Sequence, residues 1–137
     1  MSIDLKRTDR DYLYGRLLGA ADKLEQHALR KKDNDRLVTA ALRHMQTFSM
    51  RPATTWRIIH DSLLPYKQQV RNSIADRELQ SIYTCLSVEA SEDDRPLSEV
   101  YLAGYYHERA HIDDLISEAR ARRQAADISN NHQQEQE

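Results

Sequence analysis

The sequence predicts an all-α fold, a bundle of about five helices with no sheet. Only three glycines and three prolines occur among 137 residues, so few positions interrupt regular structure. Apolar side chains recur at intervals of three and four residues, which is the period of an amphipathic helix. A chain of this length builds one core, so we expect a helical domain over residues 1–125. Residues 126–137 have little apolar surface to bury, which predicts a disordered C-terminal tail.

The first predicted helix covers residues 9–32 and organises the rest. Its apolar side chains form a stripe from Leu13 to Ala28 at helical spacing, so this face should be buried. Gly15 and Gly19 form a small-x-x-x-small pair, which lets another backbone approach closely. The helix is therefore expected to pack tightly against a second element.

The next two helices are marked by a cap and by prolines. The second is predicted at 36–48 with Asp35 as its N-cap, and the third begins at Pro52. Pro65 lies inside the third helical pattern, so we expect a kink or break there.

The last two helices are predicted at about 73–87 and from Pro96 onward, joined by a polar link at 91–96. Cys85 lies in an apolar pattern and cannot form an internal disulfide, which favours a buried thiol and a reducing cytoplasm. No apolar run approaches the length of a membrane span, so no membrane partner is expected. The predicted core comprises Leu17, Leu24, Trp56, Ile59, Leu63, Leu86 and Tyr105.

Charge is distributed unevenly. Residues 1–77 hold 15 Lys and Arg against 9 Asp and Glu, or +6, whereas residues 78–137 hold 5 against 13, or −8. Arg16, Lys23 and Arg30 are spaced seven apart, which places them on one side of the first helix. This spacing suits a row of phosphates, and it is also typical of a solvated surface. The candidate nucleic-acid-binding residues are Arg16, Lys23, Arg30, Lys31, Lys32, Arg36, Arg43, Arg57, Lys67 and Arg71.

One short motif resembles the zinc-binding motif of metalloproteases. His107 and His111 with Glu108 match H-E-x-x-H. However, Asp114 and Ser117 stand where the metzincin extension needs glycine and histidine, and a zincin also needs a sheet edge. No hydrolytic triad or phosphate loop is evident either. We therefore expect no enzyme activity, no metal and no cofactor.

Three segments of the chain carry a family resemblance. They are YLYGRLLGAADKLEQHA at 12–28, RPATTWRIIHDSLLPYKQQV at 51–70 and GYYHER at 104–109. They resemble, in the same order, the C-terminal helical region of the large subunit of the type I-C CRISPR Cascade complex. Glu108 stands where that family has glutamine, and Ala103 where a larger apolar residue is usual.

The resemblance implies a non-catalytic small subunit of a type I-C Cascade, the separately translated C-terminal region of the large subunit. Its partners would be the backbone and large subunits, another copy of itself and target DNA, mainly the non-target strand, with crRNA contacted indirectly. It would stabilise the R-loop by binding the displaced strand and bridging the backbone and large subunits. The alternative is a helical spacer that contacts only proteins of that assembly. A transcription regulator is disfavoured, because no short turn presents a reading helix.

Overall fold

A computed structural model describes residues 3–29 and 38–135, with side chains up to residue 130. The all-α prediction is confirmed, because the described residues form seven helices and no strand. The helices are α1 (Arg10–Leu29), α2 (Ala40–Arg43), α3 (Met45–Met50), α4 (Pro52–Gln69), α5 (Ile74–Cys85), α6 (Val88–Glu92) and α7 (Val100–Glu135).

Helix α1 is the centre of the bundle. Every residue from 12 to 22 is buried, so this helix is enclosed around its whole circumference. α7 packs along α1, while α5, α4 and α2 cover its other sides. The predicted core is confirmed at Leu17, Leu24, Trp56, Ile59, Leu63 and Tyr105, and Leu86 packs against it half-buried.

Glycines allow α1 and α7 to meet backbone against backbone. A Cβ added to Gly15 would fall closer than 3.0 Å to the carbonyl of Tyr101, and one on Gly104 would meet the carbonyl of Tyr12 in the same way. A Cβ on Gly19 would lie 2.6 Å from the carbonyl oxygen of Tyr105, one turn further along α7. The close approach predicted from Gly15 and Gly19 is therefore present, and α7 is the helix that makes it.

The predicted second helix is two short helices, α2 and α3, separated at His44. Helix α2 begins later than predicted because Thr39 adopts an extended conformation and caps it, its side chain accepting a hydrogen bond from the Leu42 amide at 3.3 Å. The predicted cap, Asp35, lies outside the described residues.

Helix α4 continues through Pro65 without a break. Both Pro65 and Asp61 lie on the exposed side of the helix, so water can hydrogen-bond the carbonyl that the proline leaves without a donor. The buried side of α4 carries Trp56, Ile59 and Leu63. The expected break is absent, and the proline lies on the side of α4 opposite the packed face.

Two features near the end of α5 differ from expectation. Cys85 is exposed, so the prediction of a buried thiol is wrong. It is the last residue of α5, and the buried face of that helix is formed by Leu79 and Ile82 instead. A short helix, α6, also precedes and overlaps the start of the link expected at 91–96.

Helix α7 extends well beyond the predicted domain boundary at residue 125. It continues to Glu135, through residues for which the sequence predicts a disordered tail, and residues 121–130 are all exposed. None of the described helices combines the length and apolar character of a membrane-spanning segment.

Candidate nucleic-acid interface

The structure places Arg16 in the interior of the bundle. Arg16 is 5% exposed, its Nε donates to Glu108 Oε1 at 2.8 Å, and its Nη2 lies 3.8 Å from Glu78 Oε2. The expectation that Arg16 lies on an exposed cationic face is therefore wrong. Seven-residue spacing fixes the side of a helix on which a residue lies, but α1 is buried on every side at this point.

Glu108, the partner of Arg16, is fully buried. The pKa of Glu108 is raised to about 8 in total, because burial and, to a smaller extent, the neighbouring carboxyl of Glu78 raise it by more than the Arg16 guanidinium lowers it. The second carboxyl oxygen, Oε2, has no hydrogen-bond partner among the described residues. The pair therefore links α1 to α7 by a buried hydrogen bond, in which Glu108 is protonated below about pH 8.

The histidines of the zinc-protease-like motif also have partners within the bundle. His107 Nδ1 lies 2.9 Å from the Tyr12 hydroxyl, and His111 Nε2 lies 3.6 Å from Glu78 Oε1. Within the described parts of the chain, no three His, Cys, Asp or Glu side chains are grouped as a metal site requires. The motif connects α7 to α1 and α5.

A second buried polar cluster surrounds Asp22 of α1, which is fully buried. Its carboxylate accepts hydrogen bonds from Thr39 and, at 3.1 Å, from the Tyr105 hydroxyl, and Arg109 Nε lies 3.0 Å away. Burial, followed by the charge of Asp22, raises the pKa of Tyr105. Tyr105 and Arg109 belong to the GYYHER segment, so that segment supplies side chains that orient α7 on α1.

The other candidate cations within the described residues lie at several places on the bundle, on α1, on α2 and on or just after α4. Lys23 Nζ forms an ion pair of 2.6 Å with Asp113 Oδ1, and Lys67 Nζ lies 4.0 Å from Asp76 Oδ1. Arg43, Arg57 and Arg71 are exposed. Outside the described residues lie Arg30, Lys31, Lys32 and Arg36.

A groove of about 690 Å³ opens between α1, the start of α5 and α7. Its cationic side chains are Lys23 from α1, Arg77 from α5, and Arg120 and Arg123 from α7. The three arginines are exposed, and Asp113, which pairs with Lys23, is an acid in the same wall. We call this feature, defined by Lys23, Arg77, Arg120 and Arg123, the basic groove.

Of these four residues, only Lys23 is among the candidates that the sequence pattern predicts. Arg77 stands alone in its segment, and Arg120 and Arg123 lie in the half of the chain whose net charge is −8. The sequence does contain one local sign of a cationic surface here. Arg120 and Arg123 are three residues apart on a helix, so they share a face. The meeting of the four side chains depends on tertiary packing, since they come from three helices.

The basic groove has the chemistry of a phosphate site. Arginine presents a planar fork of donors that matches two phosphate oxygens, and lysine adds a point charge. Such groups hold a nucleic-acid backbone without reading its bases.

A family model described as CRISPR-associated protein (Cas_Csd1) matches residues 1–112. The match spans 112 of the 137 residues, from the first helix to the middle of α7. It includes the buried pair Arg16 and Glu108, together with Gly15 and Gly104, where α1 and α7 touch. Comparison with curated proteins gives no match.

Proposed function

The chain belongs to the Cas_Csd1 family of CRISPR-associated proteins, and from this premise we propose that it is a non-catalytic small subunit of a type I-C Cascade surveillance complex. In that role it stabilises the R-loop by holding the displaced non-target DNA strand, and it bridges the backbone and large subunits. The observation that carries the proposal is the basic groove, where Lys23, Arg77, Arg120 and Arg123 line one depression.

The energetics of R-loop formation suit a site of this kind. The RNA–DNA duplex formed is about as stable as the DNA duplex it replaces, so a few protein contacts to a single strand can shift the balance. Each phosphate that a cation neutralises also releases a counterion, which makes binding favourable and dependent on salt. Contacts from the three exposed arginines and the lysine would therefore shift the equilibrium toward the R-loop.

The buried polar residues support a structural role over catalysis. Glu108, the residue that would activate water in a zinc protease, is bound to Arg16 at 2.8 Å inside the bundle. Both histidines of the same motif contact residues of α1 or α5. These side chains stabilise helix packing, which favours a subunit that acts by binding.

A second candidate is a helical spacer that contacts only proteins. Large apolar side chains are exposed at several places, among them Met50 at 61%, Val88 at 72% and Ile128 at 69%. Each apolar side chain that the bundle leaves exposed gains free energy if a protein partner covers it. In a small subunit that holds DNA, these side chains would contact neighbouring subunits in addition to the DNA contacts of the basic groove. In a spacer, contacts of this kind would be the only ones that the chain makes.

The test is a triple variant, Arg77→Gln, Arg120→Gln and Arg123→Gln, in the assembled complex. Target DNA affinity should fall alike for all target sequences, and the slope of log K against log salt should fall by roughly one for each cation removed from a phosphate. The matched control, Lys6→Gln with Arg51→Gln and Arg122→Gln, removes the same charge from exposed positions outside the groove.

Three outcomes would contradict the proposal. Equal reductions of affinity in both variants would show a general effect of charge. An assembled complex with normal DNA binding would leave the groove without a role in holding DNA. Failure of the groove variant alone to assemble would assign its cations to a protein interface and favour the spacer.

A further inference from the structure

A second depression, of about 410 Å³, opens between α4 and α5. This volume is within the range of small-ligand sites, roughly 300–1,000 Å³. Its apolar lining comes from both helices, and cationic side chains from α4 complete it. The residues that define this aromatic pocket are Trp56, His60, Leu79, Tyr83, Arg57 and Lys67.

The aromatic side chains of the pocket differ in how firmly they are held. Trp56 is 6% exposed and belongs to the core, and its ring lies 5.9 Å from that of His60 at a tilt of 46°. Tyr83, on the other helix, is 48% exposed. The pocket therefore has a fixed aromatic wall on α4 and an accessible aromatic side chain on α5.

The charges around the pocket indicate which ligand fits it. Burial, and then the charge of Lys67, lower the pKa of His60, so this ring is neutral at neutral pH and serves as an aromatic surface. Arg57 is exposed and can reach a phosphate directly, whereas Lys67 is half-buried and its Nζ also lies 4.0 Å from Asp76 Oδ1. Asp61 adds one acid to the lining. Aromatic side chains next to cations suit a nucleotide, because the base can stack on a ring while the phosphate contacts a cation. A purely apolar peptide would make no use of the cations.

We propose that the aromatic pocket binds an unpaired base of single-stranded nucleic acid, with Tyr83 stacking on the base and Arg57 and Lys67 contacting the adjoining phosphates. The inference rests on the proposed function and deepens it, because it adds a base contact at a second place on the bundle to the phosphate contacts of the basic groove. Stacking tolerates any base, since every base has a π-face, so the pocket need not read sequence.

Trp56 makes the pocket directly observable, because it is the chain's one tryptophan. The full chain is titrated at low salt with two single strands of about ten nucleotides, oligo(dT) and an abasic strand of equal charge. Anisotropy of a labelled strand reports binding, and Trp56 fluorescence reports occupancy of the pocket. We expect both strands to bind, oligo(dT) on the order of tenfold tighter, and oligo(dT) alone to change Trp56 fluorescence.

A tyrosine variant tests the assignment of the base contact. Tyr83→Leu should remove the preference for oligo(dT) while leaving the abasic strand bound as before. Its control is Tyr106→Leu, because Tyr106 is similarly exposed, at 52%, and lies on α7 outside the pocket. Thermal unfolding of both variants should match the unchanged chain.

The outcomes separate this inference from the proposed function. Equal binding of both strands with unchanged Trp56 fluorescence would overturn the pocket and leave the phosphate contacts intact. Binding of oligo(dT) alone, insensitive to Arg120→Gln with Arg123→Gln, would support the pocket and overturn the groove. No binding of either strand at low salt would overturn the pocket, and the proposed function would still be decided by the triple variant in the assembled complex.

Discussion

At the scale of single residues, the hydrogen-bonded pair of Arg16 and Glu108 links the two longest helices. Both side chains are buried, and removing one partner leaves polar atoms of the other without a hydrogen bond in a place where water cannot reach them. Arg16 thus belongs to the folding of the bundle, although its spacing relative to Lys23 is typical of a surface cation.

We predict that Arg16→Gln destabilises the chain by about 1–3 kcal/mol at neutral pH, the usual cost of leaving a buried polar group without its hydrogen-bond partner. Arg43→Gln is the control, because Arg43 is exposed and its change should cost within about 0.5 kcal/mol. Denaturant unfolding of the three proteins measures both values. A destabilisation at Arg16 as small as that at Arg43 would contradict the role given to the pair.

The raised pKa of Glu108 predicts a specific dependence of stability on pH. The folded chain keeps the Glu108 proton up to about pH 8, whereas the unfolded chain releases it near the ordinary value for glutamate. Between these values the folded state binds more protons, so the free energy of unfolding should fall as pH rises from about 5 to about 8. Glu108→Gln should remove this contribution and flatten the slope. The control is Glu118→Gln at an exposed position of α7, and equal slopes in all three proteins would refute the assignment.

At the scale of elements, the packing of α1 on α7 depends on residues without side chains. Gly15 and Gly104 lie at points where each helix touches the carbonyl of the other, so a methyl group at either position meets backbone atoms. Backbone cannot rotate away as a side chain can. The two helices must therefore separate or shift if either glycine is replaced.

Gly15→Ala should destabilise the chain by about 1–3 kcal/mol, the range for overpacking, even though alanine improves helix propensity by about 1 kcal/mol. Ser117→Ala, at an exposed position of α7, is the control for a change to alanine and should be nearly neutral. Thermal and denaturant unfolding measure the difference. A neutral or stabilising result at Gly15 would show that α7 can move away from α1 without cost.

Sequence patterns predict these elements well where the signal is local. Apolar spacing identifies α1, α4 and α5 and most of the core, and the pair Gly15 and Gly19 indicates close packing. Sequence patterns do not predict the burial or the neighbours of a side chain when these depend on a residue far away in the sequence. Arg16 is buried because α7 supplies Glu108, and the basic groove exists because Arg77 meets residues more than 40 positions away.

At the scale of the whole molecule, the shape follows from the length of α7. Its 36 residues extend about 54 Å at 1.5 Å per residue, so α7 is longer than each of the other described helices. Its first part packs on α1 and α5, whereas residues 121–130 are exposed. Arg120 and Arg123 lie where α7 leaves the bundle, so the basic groove marks the boundary between packed and unpacked helix.

This arrangement predicts different results for two truncations of α7. Deleting residues 126–137 should leave the free energy of unfolding within about 0.5 kcal/mol, because the described side chains of that stretch are all exposed. DNA affinity of the assembled complex should stay the same or rise slightly, since the deletion removes Asp127, Glu135 and Glu137 and changes the net charge from −2 to +1. Deleting residues 118–137 removes Arg120 and Arg123 as well, so DNA affinity and its dependence on salt should both fall. Equal DNA binding after both deletions would place the phosphate contacts elsewhere, and unfolding by the shorter deletion would show that residues 126–137 belong to the folded domain.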